Sequence, residues 1–186
     1  MEDVVRKAVN RISLMARRFN ALEAPGRSGL DARAENMAKK VSAMLGRVAR
    51  MLDIAYCLTR ERCHTDAFQN IVCGMSSGRL YLTYTGRRLI MTRLTDIKAI
   101  EHVENNSEWQ IALWIRQYSL STSGEDLRIC LHRTSCIDVK PDMDYIKDNY
   151  SDIRYYVGEI DTLITRLLSG LEHQARLTMP TCIRQS

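Results

Sequence analysis

The chain has 186 residues, of which 45% are hydrophobic, and it contains only 9 glycines and 3 prolines. This composition excludes a long disordered or collagen-like chain and allows one domain, or two small ones, with a real core. The net charge is +5, but it is unevenly distributed: residues 1–93 hold 17 Lys/Arg against 8 Asp/Glu, whereas residues 94–186 hold 10 against 14. We therefore expect a basic subdomain (1–93) and an acidic one (94–186), or one continuous domain with oppositely charged halves.

Two amphipathic helices are predicted in the first 60 residues. Apolar residues recur at spacings of three and four between Val5 and Leu22, which places them on one face of a helix. Pro25-Gly26 then breaks the pattern, and a longer one runs from Leu30 to Leu58 with the same alternation. The second helix should therefore span about 30–60.

The middle of the chain also favours helices. Thr65-Asp66 opens a short helical pattern, and a stripe from Ile90 to Val103 predicts a helix over 87–105. Ser107-Glu108-Trp109-Gln110 fits a capping box, with Ser as the N-cap and Gln three residues later. A similar but weaker cap, starting at Ser123, precedes further residues at helical intervals.

Residues 79–84 alternate like a strand, and Thr85-Gly86 is a candidate turn. Because no second alternating segment is evident to pair with it, this stretch is interpreted as a connector or helix end. The alternative is a mixed fold built on a small sheet across 78–133.

The strongest helical pattern lies near the C-terminus. Large apolar residues repeat at spacings of four and three from Ile146 to Leu171, after a start signal at Pro141-Asp142. This predicts a helix over about 142–176, and its long apolar stripe suits an oligomer interface as well as a core. The predicted fold is all-α, with six to seven helices in a bundle-like, oligomeric arrangement.

Basic residues follow the first two helices in order. Arg11 and Arg18 are seven residues apart on the first helix, and Arg33, Lys40 and Arg47 repeat the same spacing on the second. Residues seven apart lie nearly on one line of a helix, so each helix presents a ridge of positive charge that fits a phosphate backbone. Alternatively, these side chains form a solvated flank or pair with acids across a helix seam.

Arg87 and Arg88 form a second candidate contact. They open the predicted helix 87–105, although the positive end of the helix dipole disfavours cations there. An arginine pair in that position suggests an anionic partner. The other interpretation is that both side chains reach water or the acids of a neighbouring subunit.

No motif indicates an enzyme or a cofactor site. The N-terminus lacks the apolar run of a secretory signal, and no stretch is long and apolar enough to span a membrane, so we expect a cytoplasmic protein whose six cysteines are reduced thiols. The spacing of Cys and His lacks the C-x2-C unit of a zinc site, and no phosphate-loop or dinucleotide fingerprint is present. We predict no catalytic residue, metal or cofactor.

The Arg-rich character of residues 6–93, with helical segments 5–22, 30–58 and 146–171, resembles the all-helical RNA silencing suppressors of closteroviruses. This resemblance implies a viral protein of the host-cell cytoplasm. It also implies sequence-independent binding of double-stranded or small RNA within a ring-shaped oligomer. The expected partners are thus RNA and further copies of the chain, basic half against acidic half, with no membrane. The alternative is a helical oligomeric scaffold or adaptor that binds proteins only.

Overall fold

The computed structural model describes residues 2–61, 82–84, 87–90, 111–115, 118–123, 126–131 and 135–184. Within these ranges the helices are α1 (Glu2–Asn20), α2 (Gly29–Glu61), α3 (Met143–Asp148), α4 (Tyr150–Thr178) and α5 (Thr181–Arg184). The strands are β1 (Leu82–Tyr84), β2 (Arg87–Ile90), β3 (Ile111–Ile115), β4 (Tyr118–Ser123), β5 (Asp126–Leu131) and β6 (Ser135–Val139). Most of the described residues are helical, as expected.

The two N-terminal helices form where the apolar spacing predicts them. The connection between them, residues 21–28, is short, so the chain turns back and α1 packs along α2. Ile12, Met15 and Phe19 of α1 are buried, as are Val41 and Val48 of α2. The predicted amphipathic faces therefore meet each other in the core.

The predicted C-terminal helix is confirmed in position but divided in two. Asp142 caps α3 by accepting a hydrogen bond from Tyr145 N–H at 2.9 Å. Asn149 then separates α3 from α4, and its side-chain Nδ2 donates to Tyr145 O at 2.9 Å. This amide takes up a helical carbonyl at the point where one helix ends and the next begins.

The all-α prediction is confirmed only in part: most of the described residues are helical, but six strands form one antiparallel sheet in the order β1 to β6. Residues 87–90, predicted to open a helix, form β2, and residues 82–84, interpreted as a connector, form β1 paired with it. The helices expected after Ser107 and Ser123 are replaced by β3 to β6. The described residues hold five helices rather than six to seven. The predictions for 65–78 and 91–105 lie outside the described residues.

Buried and exposed residues alternate along β5, so one side of the sheet faces the core and the other faces outward. Leu127, Ile129 and Leu131 are buried, whereas Asp126 and Arg128 are exposed. This is the period of two that a half-buried strand requires. Its inward side packs on α4, and its outward side carries the ion pair between Arg128 Nε and Asp138 Oδ1 of β6 at 2.9 Å.

One hydrophobic core joins these elements. Helix α2 contacts α1 and α4, and α4 also contacts β4, β5 and β6. Val41 of α2, Leu120 of β4 and Ile153 and Ile160 of α4 are all fully buried in this core. Residues from both charge halves of the chain thus contribute to it, and the proposed boundary at residue 93 falls outside the described residues.

The expectation of reduced thiols is not met by four of the six cysteines. Cys57 of α2 is bonded to Cys182 of α5, and Cys130 of β5 is bonded to Cys136 of β6. Their Cα separations are 5.6 Å and 4.0 Å. Reduced thiols were expected from the compartment alone, and the sequence does not indicate which cysteines the fold brings together.

No helix in the described part of the chain combines the length and the apolar character needed to cross a membrane.

Candidate nucleic-acid interface

The exposed side of α2 is cationic. Opposite its apolar stripe, one arc of the helix between residues 32 and 46 consists of exposed residues, here called the α2 cationic face: Ala32, Arg33, Asn36, Lys39, Lys40, Ala43 and Gly46. The face contains three cations and no acid, although the half-buried Glu35 lies beside it. An uncompensated line of cations on a rigid helix attracts anions of extended shape.

Arg33 and Lys40, both predicted contacts, lie on this face. Arg33 donates from Nε to Gly29 O at 3.3 Å, and its guanidinium carbon lies 5.8 Å from the centre of the Tyr150 ring. These contacts fix the orientation of the Arg33 side chain while its terminal nitrogens can still donate. Neither Lys39 nor Lys40 has an acidic partner among the described residues.

Arg47 lies on the same helix but has a different role. Its Nη2 donates to Asp161 Oδ1 of α4, and the two side chains are 30% and 17% exposed. One turn further on, Arg50 Nε donates to Glu172 Oε1 at 2.9 Å. The predicted phosphate contact at Arg47 is thus occupied by an acid across a helix seam, which is the alternative that the sequence left open.

Replacing Arg47 with Ala should lower the free energy of unfolding by about 1–2 kcal/mol, between the values typical of exposed and buried ion pairs. The reason is that Asp161 loses its partner in a half-buried position. A urea titration measures the effect, and the double variant Arg47→Ala/Asp161→Ala should recover part of it. A loss in the double variant equal to the sum of the losses in Arg47→Ala and Asp161→Ala would show that the pair does not couple α2 to α4.

Helix α1 presents a similar exposed side. Among the α1 residues whose exposure the structure describes, the exposed ones recur at helical spacing and include no acid: Arg6, Asn10, Leu14, Arg17 and Asn20. The predicted residues Arg11 and Arg18 are instead half-buried and already interact with other residues of the chain. The heptad line through Arg11 and Arg18 therefore runs along the flank of α1, and Arg17, which the prediction omitted, is an exposed cation, as is Arg6.

Arg87 and Arg88 do not lie at a helix N-terminus. Both belong to β2, where Arg87 pairs in register with Tyr84 and Arg88 with Thr83. The argument from the helix dipole therefore does not apply to them. The structure does not bring them onto the α2 cationic face, which lies on a different element.

A partly buried ion pair lies at the start of α2. Ser28 Oγ donates to Asp31 Oδ2 at 2.7 Å, and Asp31 N–H donates back to Ser28 Oγ at 3.0 Å. Lys147 Nζ of α3 lies 2.7 Å from Asp31 Oδ1. The hydrogen bond from Lys147, followed by that from Ser28, lowers the pKa of Asp31, and the same contact raises the pKa of Lys147.

Stability should consequently fall in acid partly through Asp31. Because its folded pKa lies below the ordinary value of 3.8, its stabilising effect is complete above about pH 4 and is lost as pH falls through the folded pKa. Urea midpoints at pH 6 and pH 3 should differ less in Asp31→Asn than in the native chain. Glu159→Gln, which alters an exposed acid of α4, is the control and should keep the native difference.

A pocket of about 360 Å³ lies beside Arg33, at the start of α4. Its charged lining residues are nearly balanced in sign: Arg33, Lys147, Arg154, Asp148 and Asp152. Since Lys147 is already paired with Asp31, the pocket does not present the uncompensated charge that the α2 cationic face does. The extended face, rather than this pocket, is the better anion site.

The predicted contact residues did not include Lys39 or Asn36. Lys39 and Asn36 lie at spacings of three and four from the other exposed residues of α2. The helix face opposite the apolar stripe therefore indicated both residues in the sequence. The line of residues seven apart that ends at Arg47 runs along the edge of that opposite face and not along its centre.

In the described residues there is no group of His, Cys, Asp or Glu that could hold a metal ion.

Comparison of the chain with protein-family models, with curated proteins and with solved structures gives no match in any of the three.

Proposed function

We propose that this chain is a non-enzymatic protein that binds RNA through the phosphate backbone, without reading the base sequence. The observation that carries this proposal is the α2 cationic face, which has three cations and no acid on one exposed arc. Each Lys or Arg that neutralises a phosphate releases a condensed counterion, which favours binding at low salt. The exposed side of α1 adds Arg17 to the same half of the chain.

The chemistry of these two helix faces favours a duplex over a single strand. Their exposed residues between positions 6 and 46 include cations and three asparagines but no aromatic ring. Single-strand binding without sequence preference draws on aromatic side chains that stack with bases. Duplex RNA instead offers phosphates and 2′-hydroxyls across a shallow minor groove, and amide side chains can hydrogen-bond to those hydroxyls.

The biological role that we propose is to shield RNA from other proteins in the cytoplasm, as a viral suppressor of RNA silencing does. One α2 helix is about 50 Å long at 1.5 Å per residue. Binding as an oligomer would extend the contact along the duplex, because each further copy adds another such helix. The sites in this proposal are Arg33, Lys39, Lys40 and Arg17. Arg11, Arg18, Arg87 and Arg88 remain candidates of lower rank.

A second candidate is a scaffold that binds proteins only. Three large apolar side chains on the long helices favour it: Leu14 is 43% exposed, Tyr155 59% and Leu177 68%. They are scattered over α1 and α4, and single exposed apolar residues are common on protein surfaces. We therefore rank this function second.

A titration of labelled duplex RNA separates the two candidates. The native chain should bind a duplex of about 20 base pairs at roughly 50 mM salt and lose affinity steeply toward roughly 200 mM. An unrelated duplex sequence of the same length should bind equally well. Absence of binding at the lower salt concentration would refute the RNA proposal and leave the scaffold.

A further inference from the structure

The C-terminal segment, Met179–Arg184, depends on its neighbours for its position. Helix α5 has four residues, and two of its hydrogen bonds are local: Cys182 N–H donates to Met179 O at 3.0 Å and Ile183 N–H to Pro180 O at 3.1 Å. A single helical turn is not stable by itself in water. Nevertheless Cys182 is 5% exposed, and Met179 and Ile183 pack against the core. Something other than helix propensity holds this segment in place.

A series of links joins α2 to the C-terminal part of the chain. Asp31 pairs with Lys147, Arg47 with Asp161, Arg50 with Glu172, and Cys57 is bonded to Cys182. Residue numbers rise on both sides of this series, so α2 and α4 run in the same direction. The first three links are ion pairs, and the last, at the end of α2, is covalent.

The two disulfides differ in what they hold. Cys130 and Cys136 are opposite residues of paired strands, and the backbone ladder between β5 and β6 already keeps them together. Cys57 and Cys182 are 125 positions apart in the sequence, and the bond attaches a one-turn helix to the end of a long one. Breaking the first bond leaves its strands paired, whereas breaking the second removes the one covalent cross-link between α5 and α2 in the described part of the chain.

We propose that the Cys57–Cys182 disulfide is a reversible redox latch that docks the C-terminal segment on the helix bundle when oxidised and releases it when reduced. Structural disulfides persist in oxidising compartments, whereas those of cytosolic proteins are commonly transient and redox-sensing. In a reducing cytoplasm the segment is therefore free. In an oxidising environment it stays packed against α2 and α4.

The opening reaction is a two-electron thiol–disulfide exchange with a dithiol reductant. A thiolate of the reductant attacks Sγ of Cys57, the less buried of the two residues, and Cys182 leaves as a thiolate that takes up a proton. The second thiol of the reductant then attacks the mixed disulfide and releases Cys57, which is also protonated. The reductant ends as a disulfide, and both cysteines end as thiols.

Hydrogen–deuterium exchange of the native full-length chain, with and without dithiothreitol, tests the latch. Reduction should accelerate exchange in peptides covering 179–184 at least tenfold, while peptides covering 32–46 of α2 keep their rates. The variant Cys57→Ser/Cys182→Ser should exchange fast at 179–184 without reductant, whereas Cys130→Ser/Cys136→Ser should respond to dithiothreitol as the native chain does.

Three results would overturn the latch. They are unchanged exchange at 179–184 after reduction, equal acceleration of exchange over the whole chain, and peptide mapping of the oxidised protein that finds no Cys57–Cys182 bond. The first would show that noncovalent packing holds the segment. The second would show that the bond maintains the whole fold rather than one segment.

Discussion

The triple variant Arg33→Ala/Lys39→Ala/Lys40→Ala should bind duplex RNA about 10–100-fold more weakly than the native chain at moderate salt. Each lost cation removes one phosphate contact, and the slope of log affinity against log salt should become less steep by about 2–3, close to 0.9 per contact. The three side chains are exposed on α2, so the fold should survive. Fluorescence anisotropy with a labelled duplex at several salt concentrations measures both quantities.

A control with the same change in net charge shows whether position matters. Lys140, Arg154 and Arg166 are exposed cations outside α1 and α2, and replacing all three with Ala also removes three positive charges. This variant should keep the native salt slope. If both triple variants weaken binding equally, RNA responds to the total charge of the protein, and the α2 cationic face is not its site.

The helices could be predicted because their patterns are long and local. The spacing from Leu30 to Leu58 predicted α2 within three residues at each end, since several consecutive turns of an amphipathic helix leave little ambiguity. The break at Asn149 could not be predicted. It falls at Asn149, whose side-chain amide and backbone N–H both bond to the carbonyl of Tyr145, and the apolar stripe continues through both α3 and α4.

The sheet was missed because strand pairing is not local. Leu82 faces Leu89, and Leu89 faces Ile115, which is 26 positions further along the chain. A strand pattern at 82–84 is therefore convincing only once its partners are recognised. The partner strands were predicted to be helices instead, because of the capping box at Ser107 and the helical intervals after Ser123. In β5, the buried Leu127 and Leu131 fit a period of two as well as one of four.

The candidate site could be predicted only in part, for a related reason. Arg33, Lys40 and Arg47 share one spacing, and nothing in the sequence tells which of them meets an acid. Only the fold places Asp161 beside Arg47, because α4 lies more than 100 positions away. The charge imbalance of the N-terminal half predicted that its surface is positively charged. Which of its cations remain exposed depends on the packing of α4.

Replacing Phe19 with Ala should lower the free energy of unfolding by about 3–5 kcal/mol. Phe19 is 0% exposed and lies in the core with α2 residues such as Val41. The Ala variant no longer buries a large ring, and it leaves a cavity that two long helices cannot close. Because small domains are stable by only about 5–15 kcal/mol, a urea titration should show a much lower midpoint.

Leu14 is the matched control, since it lies on the same helix but is 43% exposed. Leu14→Ala should cost about 1 kcal/mol or less, because the side chain already contacts water and leaves no closed cavity. The contrast between the two variants tests how α1 is oriented on α2. Similar losses at both positions would mean that α1 does not bury the face containing Phe19, and Arg17 would then not lie on the exposed side from which RNA is contacted.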